Sequence, residues 1–202
     1  MENKIILNVI GDSHAACAFR DIPNVKVHHI GAITLKRVGV LEDNFISDIV
    51  NSLNLTPDNI LLFAFGEIDI RCYVKINLEH HSNLTLNSLL ENWVSNYCQH
   101  ISLMPTNGAK IAIMSVVPPA TYSSAQSVEW PVSGTDEERV LYTKEINKLL
   151  KQECQKRDWV YLDVYSEYAD EKGMLPLENI YISVHIKDTS KIKKLLIEHQ
   201  LL

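Results

Sequence analysis

Gly11-Asp12-Ser13-His14 follows directly on the apolar run of residues 4–10, KIILNVI. A buried-strand pattern there ends in a glycine turn and puts a hydroxyl at the mouth of the next helix. The unpartnered N–H groups of a helix N-terminus can receive an oxyanion. Open parallel sheets carry reactive groups at this position, the carboxyl end of a strand. Serine is a weak nucleophile and needs a base within hydrogen-bond reach. His185, just before the last helical segment, is the candidate base. A plainer reading stands beside this one. Asp12 or Ser13 is then only a helix cap, and His185 only a surface histidine flanking a helix.

A second cluster follows the third strand-like run, in Gly66-Glu67-Ile68-Asp69-Ile70-Arg71. If this segment is extended, Glu67, Asp69 and Arg71 share one side. Arg71 can then bind an oxyanion, a carboxylate or a sugar hydroxyl, or pair locally with a carboxylate and only shape the loop. Neither His28-His29 nor His80-His81 has a third ligand at metal spacing. No phosphate-binding loop or dinucleotide fingerprint occurs, so neither a metal nor a cofactor is expected. Cys17, Cys72, Cys98 and Cys154 form no C-x-x-C pair. They read as reduced, mostly buried thiols of a cytoplasmic protein. Cys17, one helical turn from Ser13, packs the first helix on the sheet or lines the site.

The elements that must position these groups alternate. Strand-like runs at residues 4–10, 25–30, 60–65, 110–117 and 159–164 are interleaved with helical periodicity at 13–20, 41–53, 86–104, 137–157 and 188–199. In the 41–53 segment Leu41, Phe45, Ile49 and Val50 share a face, and Asp188 is the candidate cap of the last helix. Five strands alternating with helices predict one α/β domain over residues 1–202, a doubly wound parallel sheet with helices on both faces. The long irregular stretch 118–136 is either a surface insertion or a lid or binding loop. Its Tyr122 and Trp130 offer stacking faces to ligands such as sugars.

The 202 residues are 46% hydrophobic and 22% charged, with a net charge of -6. That suits a globular domain and argues against a nucleic-acid partner, because phosphate binding wants a basic surface. No apolar run has the length of a signal h-region or a membrane span, so no membrane partner is expected.

The set resembles the SGNH, or GDSL-type, hydrolase superfamily. Gly11-Asp12-Ser13-His14 matches its first block and Gly31 its second. Gly66-Glu67-Ile68-Asp69 stands where its G-x-N-D block belongs, and His185 in its last block. Pro118-Pro119, then Arg139, Tyr142 and Asn147, also look like the family. The resemblance implies a flavodoxin-like, three-layer α/β/α fold. It makes Ser13 the nucleophile, His185 the general base, and the N–H groups of Ser13 and Gly31 the oxyanion hole. Asp12, His14, Glu67, Asp69 and Arg71 would support the site or bind substrate.

Two positions depart from the family. Ile68 replaces the asparagine that gives a third oxyanion donor, and isoleucine donates nothing. Ile182 replaces the triad acid three residues before the histidine. A backbone carbonyl or another carboxylate must then orient His185, and Asp188 is one candidate. The variant Gly-Glu-Ile-Asp-x-Arg resembles a branch of the superfamily that occurs beside glycan-processing enzymes. The expected function is a serine esterase acting on an acylated small molecule or carbohydrate through an acyl-enzyme. An O-acyltransferase in glycan modification, and a degenerate glycan-binding module that kept the fold, are the alternatives.

Overall fold

The apolar runs pair as strands β1 (Ile6–Gly11), β2 (Val25–His29), β3 (Asn59–Ala64), β4 (Lys110–Met114) and β5 (Val160–Leu162). They make one sheet, every pairing parallel, in the order β2-β1-β3-β4-β5. The computed structural model describes residues 6–41 and 44–202. Lys4 and Ile5 of the first expected strand, and Glu42 and Asp43 of the expected 41–53 helix, lie outside the described residues.

The central strands are apolar on both faces because both faces are covered. Side chains alternate along each strand. Ile10, Leu61, Phe63 and Ile113 enter one core, and Leu7, Val9, Leu62 and Met114 the other. The first core is covered by helices α2 (Leu35–Val38), α3 (Phe45–Ser52), α5 (Leu86–Leu103) and α7 (Asp136–Arg157). The second is covered by α1 (Ser13–Ala18), α8 (Val164–Tyr168) and α9 (Ser190–Glu198). Two further helices, α4 (Val74–His80) and α6 (Tyr122–Ala125), lie in connections between strands and longer helices. This is the expected three-layer fold. The strand order reverses direction between β1 and β3, and open α/β sheets bind ligands outside the carboxyl ends of the strands at that point.

Several boundaries differ from the sequence reading. The helix expected over residues 41–53 begins at Phe45, and its buried face is Ile46 and Val50, with Leu41 and Phe45 exposed. Positions 46 and 50 are one turn apart, so the face that meets the sheet is rotated from the expected one. The strand expected over 110–117 ends at Met114, where Ser115 Oγ accepts the N–H of Tyr165. The largest difference lies after β3. Residues 67–73 are not extended: a π-helical turn, Asp69–Tyr73, runs straight into α4. His80 ends that helix.

At Gly11 the first strand, the first helix and β3 crowd together. A Cβ added there would lie 2.5 Å from both the Ala64 carbonyl oxygen and Ala15 Cβ. Only glycine permits that approach, and it brings Ser13 up against the sheet edge.

Candidate active site

Asp12 is the cap of α1: its Oδ1 accepts the His14 N–H at 2.8 Å. The cap reading therefore holds for Asp12, and the Ser13 hydroxyl is left for other work. It meets His185 Nε2 at 2.9 Å across 172 residues of sequence.

His185 is held by its own loop. Ile180 and Ile186 form an antiparallel bridge, and the Tyr181 N–H donates to the His185 carbonyl at 2.8 Å. Ser183 turns the chain with φ 56°, in the left-handed region that few side chains adopt. Its hydroxyl donates to the Ser124 carbonyl. The turn aims the Ile182 carbonyl back at His185. That carbonyl accepts the His185 backbone N–H at 3.0 Å and lies 2.8 Å from Nδ1. A carbonyl can only accept, so Nδ1 carries the proton and Nε2 faces Ser13 as an acceptor. Position 182 thus orients the histidine through its backbone, where the family pattern has a carboxylate. Asp188 does not take that part: it accepts the N–H and hydroxyl of Ser190, the first residue of α9, whose cap position is held by Thr189 and not by Asp188 as expected.

Arg20, overlooked in the sequence, ties this loop to α1. Its guanidinium donates to the Cys17 carbonyl at the end of α1 and to the Ile186 and Lys187 carbonyls beside His185. Burial, and then the charge of neighbouring His14, push the His185 imidazole below the ordinary histidine range. The Ile182 bond, Glu67 and Asp12 offset this only in part.

Beneath the dyad runs a buried row of ionisable side chains. His14 Nδ1 lies 3.4 Å from Asp12 Oδ1, and His14 Nε2 lies 3.6 Å from Glu67 Oε2. Glu67 in turn accepts from Arg71 Nε at 2.8 Å and Nη2 at 3.1 Å. The helical path of this segment makes Glu67 and Arg71 an i, i+4 pair. Asp69 therefore turns away from them, correcting the expectation that all three share one side. Asp69 Oδ2 and Oδ1 accept the Leu35 and Lys36 N–H groups at 2.6 and 3.0 Å. These are orphan donors of the first turn of α2. Asp69 so anchors the segment after β2, although burial pushes its carboxyl up to about 7. Asp69→Ala is expected to lower stability by about 1–3 kcal/mol, because two donors lose their acceptor. Urea unfolding at pH 8, where the wild-type carboxyl is ionised, measures it.

Gly31, on that same segment, has φ +84°, where glycine is at ease and other residues are strained. Its neighbour Ala32 lines a cleft of about 140 Å³ together with Ser13, Ile68, Arg71, Trp130 and His185. Ile68 thus reaches the cleft and offers it no donor. Arg71 lines the same cleft. Of its five N–H groups, two hold Glu67 and one holds the Trp130 carbonyl at 3.0 Å. Ser133 closes the arrangement by donating its N–H and hydroxyl to the Arg71 carbonyl at 2.8 and 3.2 Å. Of the two aromatics singled out in the 118–136 stretch, Trp130 lines the cleft. Tyr122 lies on the first turn of α6, 50% exposed.

The strand ends are fastened from α7. The Asn147 side chain pairs with both the N–H and the carbonyl of Val116, and Arg139 Nη1 donates to the Ala120 carbonyl. A larger cavity, about 370 Å³, opens beside Asp136, Val140 and Leu175, and none of the dyad lines it. His28 bonds Asn8 and does not line the cleft. Cys17 is half-buried and its thiol is pushed up by burial, as are Cys72, Cys98 and Cys154. Among the described residues no group of three or more His, Cys, Asp or Glu side chains could hold a metal, and no helix is long and apolar enough to cross a membrane.

No protein-family model and no curated protein matches the chain. Solved structures do. A protein from Bacteroides fragilis assigned as an acylhydrolase is 16% identical, with a TM-score of 0.67 over 100% of this chain and 88% of its own. A GDSL-like lipase from Bacteroides thetaiotaomicron is 13% identical, with a TM-score of 0.63 over 96% and 86%. An acetylxylan esterase from Geobacillus stearothermophilus, solved as a catalytic mutant, is 12% identical, with a TM-score of 0.55 over 98% and 94%. The chain therefore has the fold of the SGNH, or GDSL-type, hydrolases.

Proposed function

We propose that this protein is a serine esterase that cleaves acyl esters of a small molecule or carbohydrate through an acyl-enzyme on Ser13. The observation that carries the reading is the 2.9 Å bond between Ser13 Oγ and His185 Nε2, with Nδ1 already committed to the Ile182 carbonyl. His185 Nε2 takes the hydroxyl proton as Oγ attacks the acyl carbonyl. The tetrahedral oxyanion faces the N–H groups of Ser13 and Gly31. Arg71, with N–H groups beyond those given to Glu67 and Trp130, supplies the donor that Ile68 lacks. His185 then returns the proton to the leaving alcohol, and water repeats the sequence to release the acid. The loop over residues 118–136, fastened through Arg71 and Ser133, serves as a fixed wall of the substrate site. Its Trp130 gives a sugar ring a face to stack on. Acetylxylan esterases among the structural neighbours lean the same way.

Labelling with a fluorophosphonate probe tests the reading without knowledge of the natural ester. Mass spectrometry is expected to find one adduct, on Ser13. An unlabelled Ser13, in a protein that still binds glycans, would instead favour a binding module, for which the donorless Ile68 in the cleft is the motive. Product analysis with an added sugar acceptor separates hydrolysis from acyl transfer.

A further inference from the structure

His14 has no part in the proton transfer just described, yet its ring packs against that of the base. Its ring centroid lies 4.6 Å from that of His185, with the planes tilted by 38°. It is only 4% exposed, and neither ring nitrogen has a hydrogen-bond partner among the described residues. What faces those nitrogens is charge: the Asp12 carboxylate on one side and the Glu67 carboxylate on the other. A neutral imidazole gains little from two carboxylates beyond bonding range. An imidazolium in a dry site gains a great deal. We propose that His14 is a positioning residue for His185: clamped between Asp12 and Glu67 and stacked on the base, it carries the positive charge that keeps His185 neutral and ready to accept a proton.

The inference rests on the Ser13–His185 dyad of the proposed esterase and adds a device the usual triad does not have. A triad carboxylate beside Nδ1 favours the protonated base; here a carbonyl stands in its place, and a cation faces the ring. The charged groups around His185 among the described residues include the Arg20 guanidinium, which bonds the Ile186 and Lys187 carbonyls beside it. Asp12 and His14 come from the start of α1, Glu67 and Arg71 from the segment after β3. The 118–136 loop presents Ser127 and Trp130 to the cleft and no titratable side chain. Burial opposes a charge on His14, but Glu67 and Asp12 outweigh it and raise the group above the ordinary histidine range. The sign for the reaction follows. The base fails when His185 becomes protonated. Lowering its affinity for the proton moves the acid limb of activity to lower pH, and removing the His14 charge moves it back up.

Imidazole resonances followed by NMR from pH 4 to 9 test this independently of any substrate. In the wild-type protein His14 is expected to remain protonated while His185 titrates. In His14→Phe, which keeps an aromatic face and removes the charge, the His185 midpoint should rise by about one pH unit. His14→Gln, a polar replacement, should give the same direction. The pH dependence of fluorophosphonate labelling should shift in parallel. A wild-type His14 that is neutral where His185 titrates overturns the inference, whatever the variants do. So does an unmoved His185 midpoint in either folded variant. A shifted midpoint in a protein that neither labels nor hydrolyses would sustain the role of His14 and reject the esterase.

Discussion

Ser13→Ala is expected to lower kcat for a short acyl ester such as p-nitrophenyl acetate by about 10⁴-fold or more, with little change in melting temperature. The size follows from the loss of the hydroxyl that His185 Nε2 bonds; deleting a serine nucleophile removes nearly all that its triad contributes. Cys17 is the nearest thiol along the helix, but burial holds it in the protonated, unreactive form. The fold should tolerate the change because Asp12, not Ser13, caps α1. Turnover that persisted in a well-folded Ser13→Ala protein would eliminate the acyl-enzyme mechanism.

Arg71→Met is expected to act on two quantities at once. The Arg71 side chain is 7% exposed and grips a Glu67 that is 6% exposed. Taking away one partner of a buried pair strands the other, at a cost of about 3–5 kcal/mol. It also frees the Trp130 carbonyl and withdraws a donor from the cleft. If Arg71 completes the oxyanion hole, kcat should fall by a further 10²–10³-fold or so. The double variant Glu67→Gln/Arg71→Met separates the two effects. It leaves no stranded carboxylate, so urea unfolding should show most of the lost stability restored. Turnover should stay low. Recovery of both together would make Arg71 a structural residue of the loop and nothing more. The Glu67 carboxylate also faces His14, so the double variant should lower the proton affinity of His14 as well, and kcat is best compared at the plateau of each pH profile.

The architecture was open to reading from the chain because it is written in local patterns. Runs such as ILLFAF at residues 60–65 are apolar without alternation, as a strand covered on both faces requires. Their alternation with helical periodicity leaves a parallel sheet as the simple solution. Ser13 and His185 were visible for a related reason, since each lies where a strand or helix begins or ends and such ends carry chemistry in this fold. The segment after β3 misled. Glu67-Ile68-Asp69-Ile70-Arg71 alternates like a strand, yet it coils because Asp69 is claimed by the donors of α2 and Arg71 by Glu67. Those partners are fixed by packing that local periodicity does not contain.

What orients His185 was hidden for a different reason. The group is the carbonyl of Ile182, and every residue has a carbonyl, so no side chain announces it. Nor does Arg20 look like part of a site until α1 and the loop before α9 lie side by side. The sequence by itself determined the layers, the sheet and the two side chains, Ser13 and His185, that the fold brings within hydrogen-bond distance, through periodicity and element ends. Only the tertiary structure decided how His185 is aimed, which ionisable groups lie beneath it and what Arg71 bonds. Those depend on contacts between residues up to 172 positions apart, which the hydrophobic burial of the whole chain brings together.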